Sequence, residues 1–562
     1  MISSLQHSLM LSLEYGSERV LDTGVWPERQ SYNDIGLSSV PSHWKGECSE
    51  GQNFTKEHCN RKLVGARFFS KGPDKILGYD SPRDSEGHGT HTSSTAAGSA
   101  VVNASMCGYA PGTATGIAPK SRIAVYKVCW PIYLCDSVDI VAAYDKAIED
   151  GVDIISFSIG IDVVYPYHYD PIAIAQFGAM EHNVLVSASG GNNGPSLGSV
   201  ANIPPWIVTV GAELPKKRFF PLVYAGNLPN GIRISDAALC LPGHLNSKLV
   251  KGKIVVCERG GNDALKVEVV KNASGVGMVL ANVGKFGESV EADATDLLPT
   301  LAIPELNVQP APMVSIFSSR GPNRISDYVI KPDLVAPGAD ILAAWPDDGS
   351  PAMSRWHTRA TEFNILSGTS MSCPHISGVA ALLKGAHHGW SPSRIKSAMM
   401  TTSYVVDNAG NPLLDESAYN VSTPWHYGSG HVDPEKALDP GLVYDLTTED
   451  YIDFLCASNY SQKDIAVITS RPVNFTRTAT QVYEGPSSYT LKIENPSHVL
   501  LTVDPPVLEF SEKDQKVSYV VTISAEKFAP PANMSATVFG RITWQDGIHN
   551  VSMPVAVTQI NV

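Results

Sequence analysis

Short apolar runs alternate with helical patterns of small residues along the first part of the chain, from Asp22 to about Val210. A parallel sheet covered on both faces is built from such continuous apolar strands, because neither face of a strand meets water. The pattern therefore predicts an α/β fold. The buried strands are expected at Ile123–Val128, Val152–Phe157, Val184–Ser187 and Ile207–Val210.

One helix between these strands is predicted together with its C-terminal end. The stretch Ser137–Asp150 places apolar residues three and four positions apart, on one helical stripe. Gly151 follows directly, and glycine readily takes the left-handed conformation that ends many helices. The stripe consists of Ile140, Ala143, Tyr144, Ala147 and Ile148. With a strand on each side, this helix completes a βαβ unit.

The pattern changes twice further along the chain. Residues 219–310 contain the strand-like runs KGKIVVCERG and GVGMVLAN on either side of a helical stretch, Ala264–Asn272, and this predicts a compact inserted module. The β/α pattern returns over residues 311–466, with a long helix of small residues after Gly368. Residues 467–562 hold the alternating runs YTLKIE, LTVDPP, VSYVVTIS and GRITWQ, which predict a β-sandwich.

Length and charge restrict the class of protein. A chain of 562 residues exceeds what one hydrophobic core supports, so more than one module is expected. A net charge of -14 disfavours nucleic acid or an anionic membrane as partner, since both attract Lys and Arg clusters. No stretch approaches the roughly 20 apolar residues that cross a bilayer. The apolar run Leu9–Leu13 is too short for the core of a signal peptide.

Potential glycan acceptors are frequent. Asn-x-Ser/Thr sequences accept glycans in the secretory pathway, so their number favours export. They begin at Asn53, Asn103, Asn272, Asn420, Asn459, Asn474, Asn533 and Asn550.

The nine cysteines are spread along the chain without paired CxxC spacings, which disfavours a structural zinc site. Three pairs lie close enough in sequence to form disulfides in an oxidising compartment. These pairs are Cys48 with Cys59, Cys129 with Cys135, and Cys240 with Cys257.

Four short sequences contain residue types that suit catalysis. The first is LDTGVWPE, in which Asp22 follows an apolar run and precedes a turn. The carboxyl ends of parallel strands form the edge at which open α/β sheets place their sites. A turn or cap carboxylate is the alternative interpretation, because Asp is common in turns.

The second sequence is DSEGHGTHTSSTAAG, which places His88 between Gly87 and Gly89. The glycines leave room for a substrate or a second side chain to approach the imidazole. His91 follows three residues later, so the two histidines could instead bind a metal. Zinc would require a third ligand and a HExxH-like helix, and the absence of both disfavours a metal site.

The third sequence, SASGGNNGP, is an apolar strand that ends in a glycine-rich turn carrying Asn192. A side-chain amide at this place can donate a hydrogen bond to an oxygen that becomes negative during acyl transfer. An ordinary Asn-Gly turn is the alternative.

The fourth sequence, LSGTSMSCPHISGVAALL, is the most specific of the set. It places Ser370 at the start of a helix, where the helix dipole and free amides favour negative charge at the serine oxygen. A helix cap is the structural alternative for such a serine. The apolar positions of the helix are Ile376, Val379, Ala380 and Leu383.

These four sequences, in this order, resemble the active-site segments of subtilisin-like serine proteases, and their detail is similar to the plant subtilase family. The order Asp, His, Ser separates subtilisins from chymotrypsin-like enzymes and α/β-hydrolases. Further matching segments are SRIAVYKVCW, AIEDGVDIISFSIG, FSSRGPN, KPDLVAPG, SPSRIKSAMMTT and GSGHVDPEKALDPGLVYD. The resemblance covers nearly the whole chain from Asp22 onward.

The resemblance implies a secreted serine endopeptidase with a polypeptide substrate. It assigns Ser370 as the nucleophile, His88 as the general base and Asp22 as the acid that orients the imidazolium. Asn192 and the backbone N–H of Ser370 would form the oxyanion hole. Cys373, which follows the serine on the same helix, is interpreted as a small core residue.

Substrate binding and domain roles are also implied by the resemblance. Ser158, Ile159 and Gly160 would pair with an extended substrate and shape the pocket for the residue before the cut. Residues 219–310 would form a protease-associated domain and residues 467–562 a fibronectin III-like domain. The catalytic domain is then divided into residues 17–218 and 311–466, after an atypical segment of residues 1–16. A homodimer through the inserted module is a further expected partner. No cofactor is expected, and no carboxylate cluster implies calcium.

The sequence departs from the family in places. No signal peptide or inhibitory propeptide is recognisable before Asp22, and the preceding EYGSERVL is polar where a central strand should be apolar, so we expect this strand to be compromised. Near Ser470 neither the first strand of the sandwich nor a cysteine to pair with Cys456 is visible. We therefore expect an incomplete or alternatively spliced subtilase. There are two alternatives: the chain is inactive, or it acts as a binding protein through its accessory modules.

Overall fold

A computed structural model describes most of the chain. The described residues are 17–72, 78–106, 108–131, 134–160, 163–214, 217–221, 239–245, 247–258, 263–281, 302–306, 310–349, 360–469, 479–497, 499–525 and 535–560. Within them, no helix combines the length and apolar character needed to cross a bilayer. About half of the inserted module, through which a homodimer is expected, lies outside these ranges, and the homodimer stays a prediction.

A ten-stranded sheet forms the centre of the molecule. Its first six strands are all parallel, as the apolar runs predict. In order across the sheet, these six strands are Leu63–Phe68, Arg122–Lys127, Ser17–Asp22, Ile154–Phe157, Leu185–Ser189 and Val208–Leu214. The sheet continues with Met313–Val314, Leu414–Asp415 and Asn420–Val421. The tenth strand, Leu334–Pro337, also pairs with Val208–Leu214.

The strand Ser17–Asp22 corrects one sequence-based expectation. It pairs in parallel on one side with Arg122–Lys127 and on the other with Ile154–Phe157, so it lies inside the sheet. Val20 and Leu21 are buried at its C-terminal half. The prediction that polar residues compromise this strand is wrong, because backbone pairing on both sides and two buried apolar side chains suffice to hold it.

The helices cover both faces of the sheet, because neighbouring residues of a strand point to opposite sides. Ile155 packs in a core with the helices Ser137–Asp150 and Pro171–Glu181, whereas Ile154 packs in a second core with Thr369–Ala386. The remaining helices are His88–Ala97, Ser247–Val250, Asp263–Asn272, Pro392–Thr401, Pro424–Tyr427, Pro434–Leu438, Thr448–Ala457 and Gln462–Thr469, with short 3₁₀ turns at Gln30–Tyr32 and Lys56–His58.

The predicted helix Ser137–Asp150 is confirmed at both ends. Asp136 caps it by accepting a hydrogen bond from the Val138 amide, and Gly151 follows in the left-handed conformation with φ of 85°. The carboxylate at the cap satisfies an amide that has no partner inside the helix.

The inserted module shows the predicted strand, helix and strand. Ile254–Glu258 pairs in parallel with Gly277–Ala281, and Asp263–Asn272 connects them. Lys217–Pro221 and Ala302–Leu306 pair antiparallel at the point where the chain leaves and re-enters the catalytic part. Further two-stranded pairs are Val101–Met106 with Tyr109–Ala114, Cys129–Trp130 with Leu134–Cys135, and Ile341–Ala344 with Phe363–Leu366.

The C-terminal part forms antiparallel sheets around its own core. Val499, Leu501 and Val503 are buried while the residues between them are exposed, which is the alternation the sequence predicts. Tyr489 and Trp544 are the largest side chains of this core. The strands are Leu442–Tyr444, Ala479–Gln481, Ser487–Glu494, Val499–Asp504, Val507–Phe510, Lys516–Val517, Val520–Ala525, Ser535–Gln545 and Asn550–Ile560. The stretch near Ser470, where the sequence shows no first strand of the sandwich, falls on residues 470–478, outside the described ranges.

All three disulfides predicted from spacing are present. Cys373 is free and buried, and Cys456 is free and exposed. The cross-links therefore tie the catalytic part in two places and the inserted module in one.

Candidate active site

Asp22 is the last residue of its strand, at the carboxyl edge of the sheet. Its side chain is 1% exposed, and its Oδ1 lies 2.7 Å from His88 Nδ1. The Thr23 amide donates to the same oxygen at 2.8 Å, while the Thr92 hydroxyl donates to Oδ2 at 2.9 Å. Because the carboxylate only accepts, Nδ1 of His88 carries the proton and its Nε2 is left as the basic atom.

His88 is the first residue of the helix His88–Ala97, called the histidine helix below. The residue before it, Gly87, has φ of 117°, and a Cβ there would lie 2.4 Å from the Trp345 ring. A Cβ on Gly89 would lie 2.4 Å from the Gly24 carbonyl oxygen. The glycines that flank His88 in the sequence are therefore required by close packing around the start of this helix.

His91 does not share a ligand site with His88. Its Nε2 lies 2.9 Å from the Ile341 carbonyl oxygen, and burial lowers the pKa of His91 to about 3. Among the described residues, no group of three or more His, Cys, Asp or Glu side chains is arranged to hold a metal ion. The two histidines therefore serve separate contacts.

Ser370 lies in the first turn of the helix Thr369–Ala386, called the serine helix below. Gly368 occupies the cap position, so the alternative that Ser370 is only a cap is excluded. Ser370 Oγ donates to the Ser158 carbonyl at 3.2 Å, and Ser158 Oγ donates to the Ser370 carbonyl at 2.9 Å. Between the described residues Ser370 and His88 the structure places no hydrogen bond. The histidine and serine helices do pack against each other.

Asn192 follows the strand Leu185–Ser189 and faces the start of the serine helix. Its Oδ1 accepts from both the amide and the hydroxyl of Thr369, each at 2.9 Å. A backbone amide can only donate, so this contact fixes which end of the Asn192 side chain is oxygen. The Nδ2 group is then directed to the turn that contains Gly368 and remains a donor.

Ser158, Ile159 and Gly160 continue directly from the strand Ile154–Phe157. The first two are buried and Gly160 is exposed. The Ile159 carbonyl accepts from Asn202 Nδ2 at 2.8 Å, and the same Nδ2 donates to the Ser189 carbonyl at 2.8 Å. Asn202 therefore ties together the ends of two neighbouring strands.

The charge of His88 is controlled by the surrounding carboxylates. Burial is the largest single influence and disfavours the imidazolium, but the Asp22, Glu86 and Asp84 carboxylates together outweigh it and raise the pKa of His88 to about 9. Burial raises the pKa of the partly exposed Glu86 to about 7. The site therefore stabilises positive charge on the imidazole.

Cys373 is a core residue of the serine helix. Its side chain is fully buried, and its Sγ donates to the Ser187 carbonyl at 3.2 Å. Burial raises the pKa of the thiol, which keeps it neutral and poorly nucleophilic.

The sequence predicted Asp22, His88, Asn192 and Ser370 as site residues, but not the residues that hold them. Thr92, Asn202 and Asp84 each make side-chain hydrogen bonds within the site and were not singled out. Thr92 lies four residues after His88, on the same helical face, and this spacing was the one feature of the sequence that could have pointed to Thr92.

The comparisons with known proteins agree with this fold. A family profile described as "Subtilase family" matches residues 20–430, and one described as "Fibronectin type-III domain" matches residues 459–557. The subtilisin-like protease SBT1.5 of Arabidopsis thaliana is 44% identical, over 98% of this chain and 84% of that protein. Subtilisin-like protease SBT1.7 of the same plant is 45% identical, over 96% of this chain and 82% of that protein.

Fold and similarity together define the class of subtilisin-like serine endopeptidases. Within this class the chain belongs to the subtilase family and is a plant-type member of it.

Proposed function

We propose that this chain cleaves peptide bonds of extended polypeptides with Ser370 as nucleophile, His88 as general base and Asp22 as the orienting acid. The observation that carries the proposal is the 2.7 Å contact of Asp22 with His88 Nδ1, which leaves Nε2 free to accept a proton. Asp22 then stabilises the imidazolium that forms.

The reaction begins at Ser370. Its hydroxyl leaves the Ser158 carbonyl, rotates to His88 and transfers its proton to Nε2 as Oγ attacks the scissile carbonyl carbon. The imidazolium next gives that proton to the leaving amine, and the C–N bond breaks to leave an acyl ester on Ser370. Water then attacks the ester and loses a proton to His88. His88 passes this proton to Ser370 Oγ as the C–Oγ bond breaks, which releases the new carboxyl end and restores the serine.

Asn192 supports the step in which charge develops on the carbonyl oxygen. Its Nδ2 is the donor left after Oδ1 is held by Thr369. The Ser370 amide lies in the first turn of the serine helix, where amides have no partner within the helix. These two donors would stabilise the oxyanion without reorganisation.

Substrate binding is assigned to the chain edge Ser158–Gly160. The space around Gly160 is open, since an added Cβ there would meet no atom within 4 Å. Backbone groups at such an edge pair with an extended peptide largely independently of its sequence.

The test of this function is peptide hydrolysis by matched serine variants. Ser370→Ala should abolish cleavage of a fluorogenic peptide, while Ser372→Ala, a buried serine two residues further on the same helix, should retain it. If the wild-type protein cleaves no peptide, the alternative of an inactive chain that acts at most as a binding protein is favoured.

We also propose that the protein is secreted and glycosylated. Three disulfides and six exposed sequon asparagines support this. The exposed residues are Asn53, Asn103, Asn272, Asn420, Asn459 and Asn550. Asn474 and Asn533 lie outside the described residues. Protein isolated from its native tissue should shift to lower mass on treatment with an N-glycosidase, and an unchanged mass would contradict the proposal.

A further inference from the structure

Asp84 is a fully buried carboxylate with five hydrogen-bond donors around it. Its Oδ1 accepts from the Glu86 amide at 3.0 Å, the Gly87 amide at 2.9 Å and the Thr23 hydroxyl at 3.1 Å. Its Oδ2 accepts from the Thr90 amide at 3.0 Å and the Thr90 hydroxyl at 2.6 Å. Thr23 belongs to the turn after the Asp22 strand, whereas Glu86, Gly87 and Thr90 lie just before or within the first turn of the histidine helix.

Thr23 makes the connection to the Asp22 strand. Its amide donates to Asp22, and its hydroxyl donates to Asp84 while accepting from the Gly89 amide at 2.7 Å. The Thr23 hydroxyl therefore links Thr23, which follows Asp22, to Gly89, which follows His88.

The histidine helix needs an external acceptor at its start. The first amides of a helix have no partner within it, and Gly87 at the cap position has no side chain to supply one. Asp84 supplies this acceptor, and its negative charge also suits the positive end of the helix. His88 is the first helical residue, so the way the helix begins decides where its ring points.

We propose that Asp84 is a positioning residue that holds His88 against Asp22 during peptide hydrolysis. This inference rests on the proposed function. Loss of Asp84 would free both the helix start and the Thr23 turn, and the Nδ1 to Oδ1 contact would no longer be fixed.

Removal of the Asp84 charge also has an electrostatic consequence. The carboxylates of Asp22, Glu86 and Asp84 all favour the charged form of His88, while the nearby His91 stays neutral because of its lowered pKa. Replacing Asp84 by a neutral residue therefore lowers the pKa of His88 and moves the rising limb of the pH profile to lower pH. A role confined to the stability of the fold would not move that limb.

The experiment compares three variants with the wild type, with the concentration of active sites determined by titration with a fluorophosphonate. Asp84→Asn should reduce kcat per titrated site about 10- to 100-fold, as expected for a small misplacement of a catalytic group, and change KM by less than about threefold. Its rising pH limb should move to lower pH. Thr23→Val removes the connecting hydroxyl but keeps the Asp84 charge, so it should reduce kcat and move the limb less than Asp84→Asn does.

Asp139→Asn is the matched control. Asp139 is also a buried carboxylate that accepts from backbone amides, those of Lys71 and Gly72, but it makes none of the contacts that hold His88. It should leave both kcat and the pH limb unchanged.

The outcomes separate this inference from the proposed function. A wild-type protein that is not titrated would overturn the proposed function itself. An active wild type, with kcat per site unchanged in Asp84→Asn and Thr23→Val, or reduced equally in Asp139→Asn, would overturn the role of Asp84 alone. If Asp84→Asn does not fold, the kcat of Thr23→Val tests the role of Asp84: a reduced kcat supports the role, and an unchanged kcat overturns it.

Discussion

Asp22 Oδ1 and His88 Nδ1 lie 2.7 Å apart, although 66 positions separate the two residues in the chain. The contact joins the carboxyl end of a central strand to the first residue of the histidine helix. The Thr23 amide also donates to Oδ1 and the Thr92 hydroxyl donates to Oδ2, so both carboxylate oxygens are held. This arrangement makes Asp22 an effective partner for an imidazolium.

Replacement of Asp22 should therefore be costly. In Asp22→Asn the side chain can present its amide group to His88, which favours the wrong tautomer, and kcat should fall by about 10⁴. Steady-state kinetics on the purified variant, with circular dichroism to confirm folding, measures this effect. A loss of less than tenfold in a folded variant would contradict the assigned role.

The pH dependence follows from the raised pKa of His88. Hydrolysis requires neutral imidazole, so kcat/KM should rise with pH, with the midpoint of the rise near pH 9, as His88 loses its proton. Near pH 9 Glu86, whose pKa is about 7, is ionised and favours the imidazolium. Glu86→Gln should therefore lower the pKa of His88 and shift the rising limb to lower pH. A limb that stays in place or moves to higher pH would refute this electrostatic coupling.

Loss of the Asn192 donor should affect turnover more than binding. Asn192→Ala removes one hydrogen bond to the developing oxyanion, and we expect kcat to fall about 10²- to 10³-fold, with a much smaller change in KM. Kinetics with a peptide substrate distinguishes the two parameters. An increase in KM with kcat preserved would instead place Asn192 in ground-state binding.

The two free cysteines among the described residues should differ in reactivity. Cys456 is exposed, whereas Cys373 is buried and its thiol pKa is raised. Iodoacetamide applied to the folded protein should modify Cys456 and leave both Cys373 and the activity intact. Peptide mapping by mass spectrometry checks this, and modification of Cys373 with loss of activity would show that the core around the serine helix opens.

Local sequence was sufficient to predict much of the fold. The stripe of Ser137–Asp150 and the glycine at 151 predict one helix and its C-terminal end, and the spacing of Cys240 and Cys257 predicts their disulfide. Short sequence motifs are also sufficient to select Asp22, His88 and Ser370 as candidate catalytic residues.

Other features depend on tertiary contacts and could not be predicted. The strand Ser17–Asp22 forms despite its polar start, because two neighbouring strands supply its hydrogen-bond partners. The hydrogen bonds of Asn202 and Asp84 join segments that the sequence does not bring together. A carboxylate in a loop has the same local pattern whether it faces solvent or accepts five hydrogen bonds.

The most direct test of the central claim is to locate the adduct of a fluorophosphonate. Wild-type protein treated with the probe should gain one adduct, and peptide mapping should place it on Ser370, while Ser370→Ala should gain none. An adduct on another residue, equal labelling of Ser370→Ala, or no labelling of the wild type would contradict the assignment of Ser370 as the nucleophile.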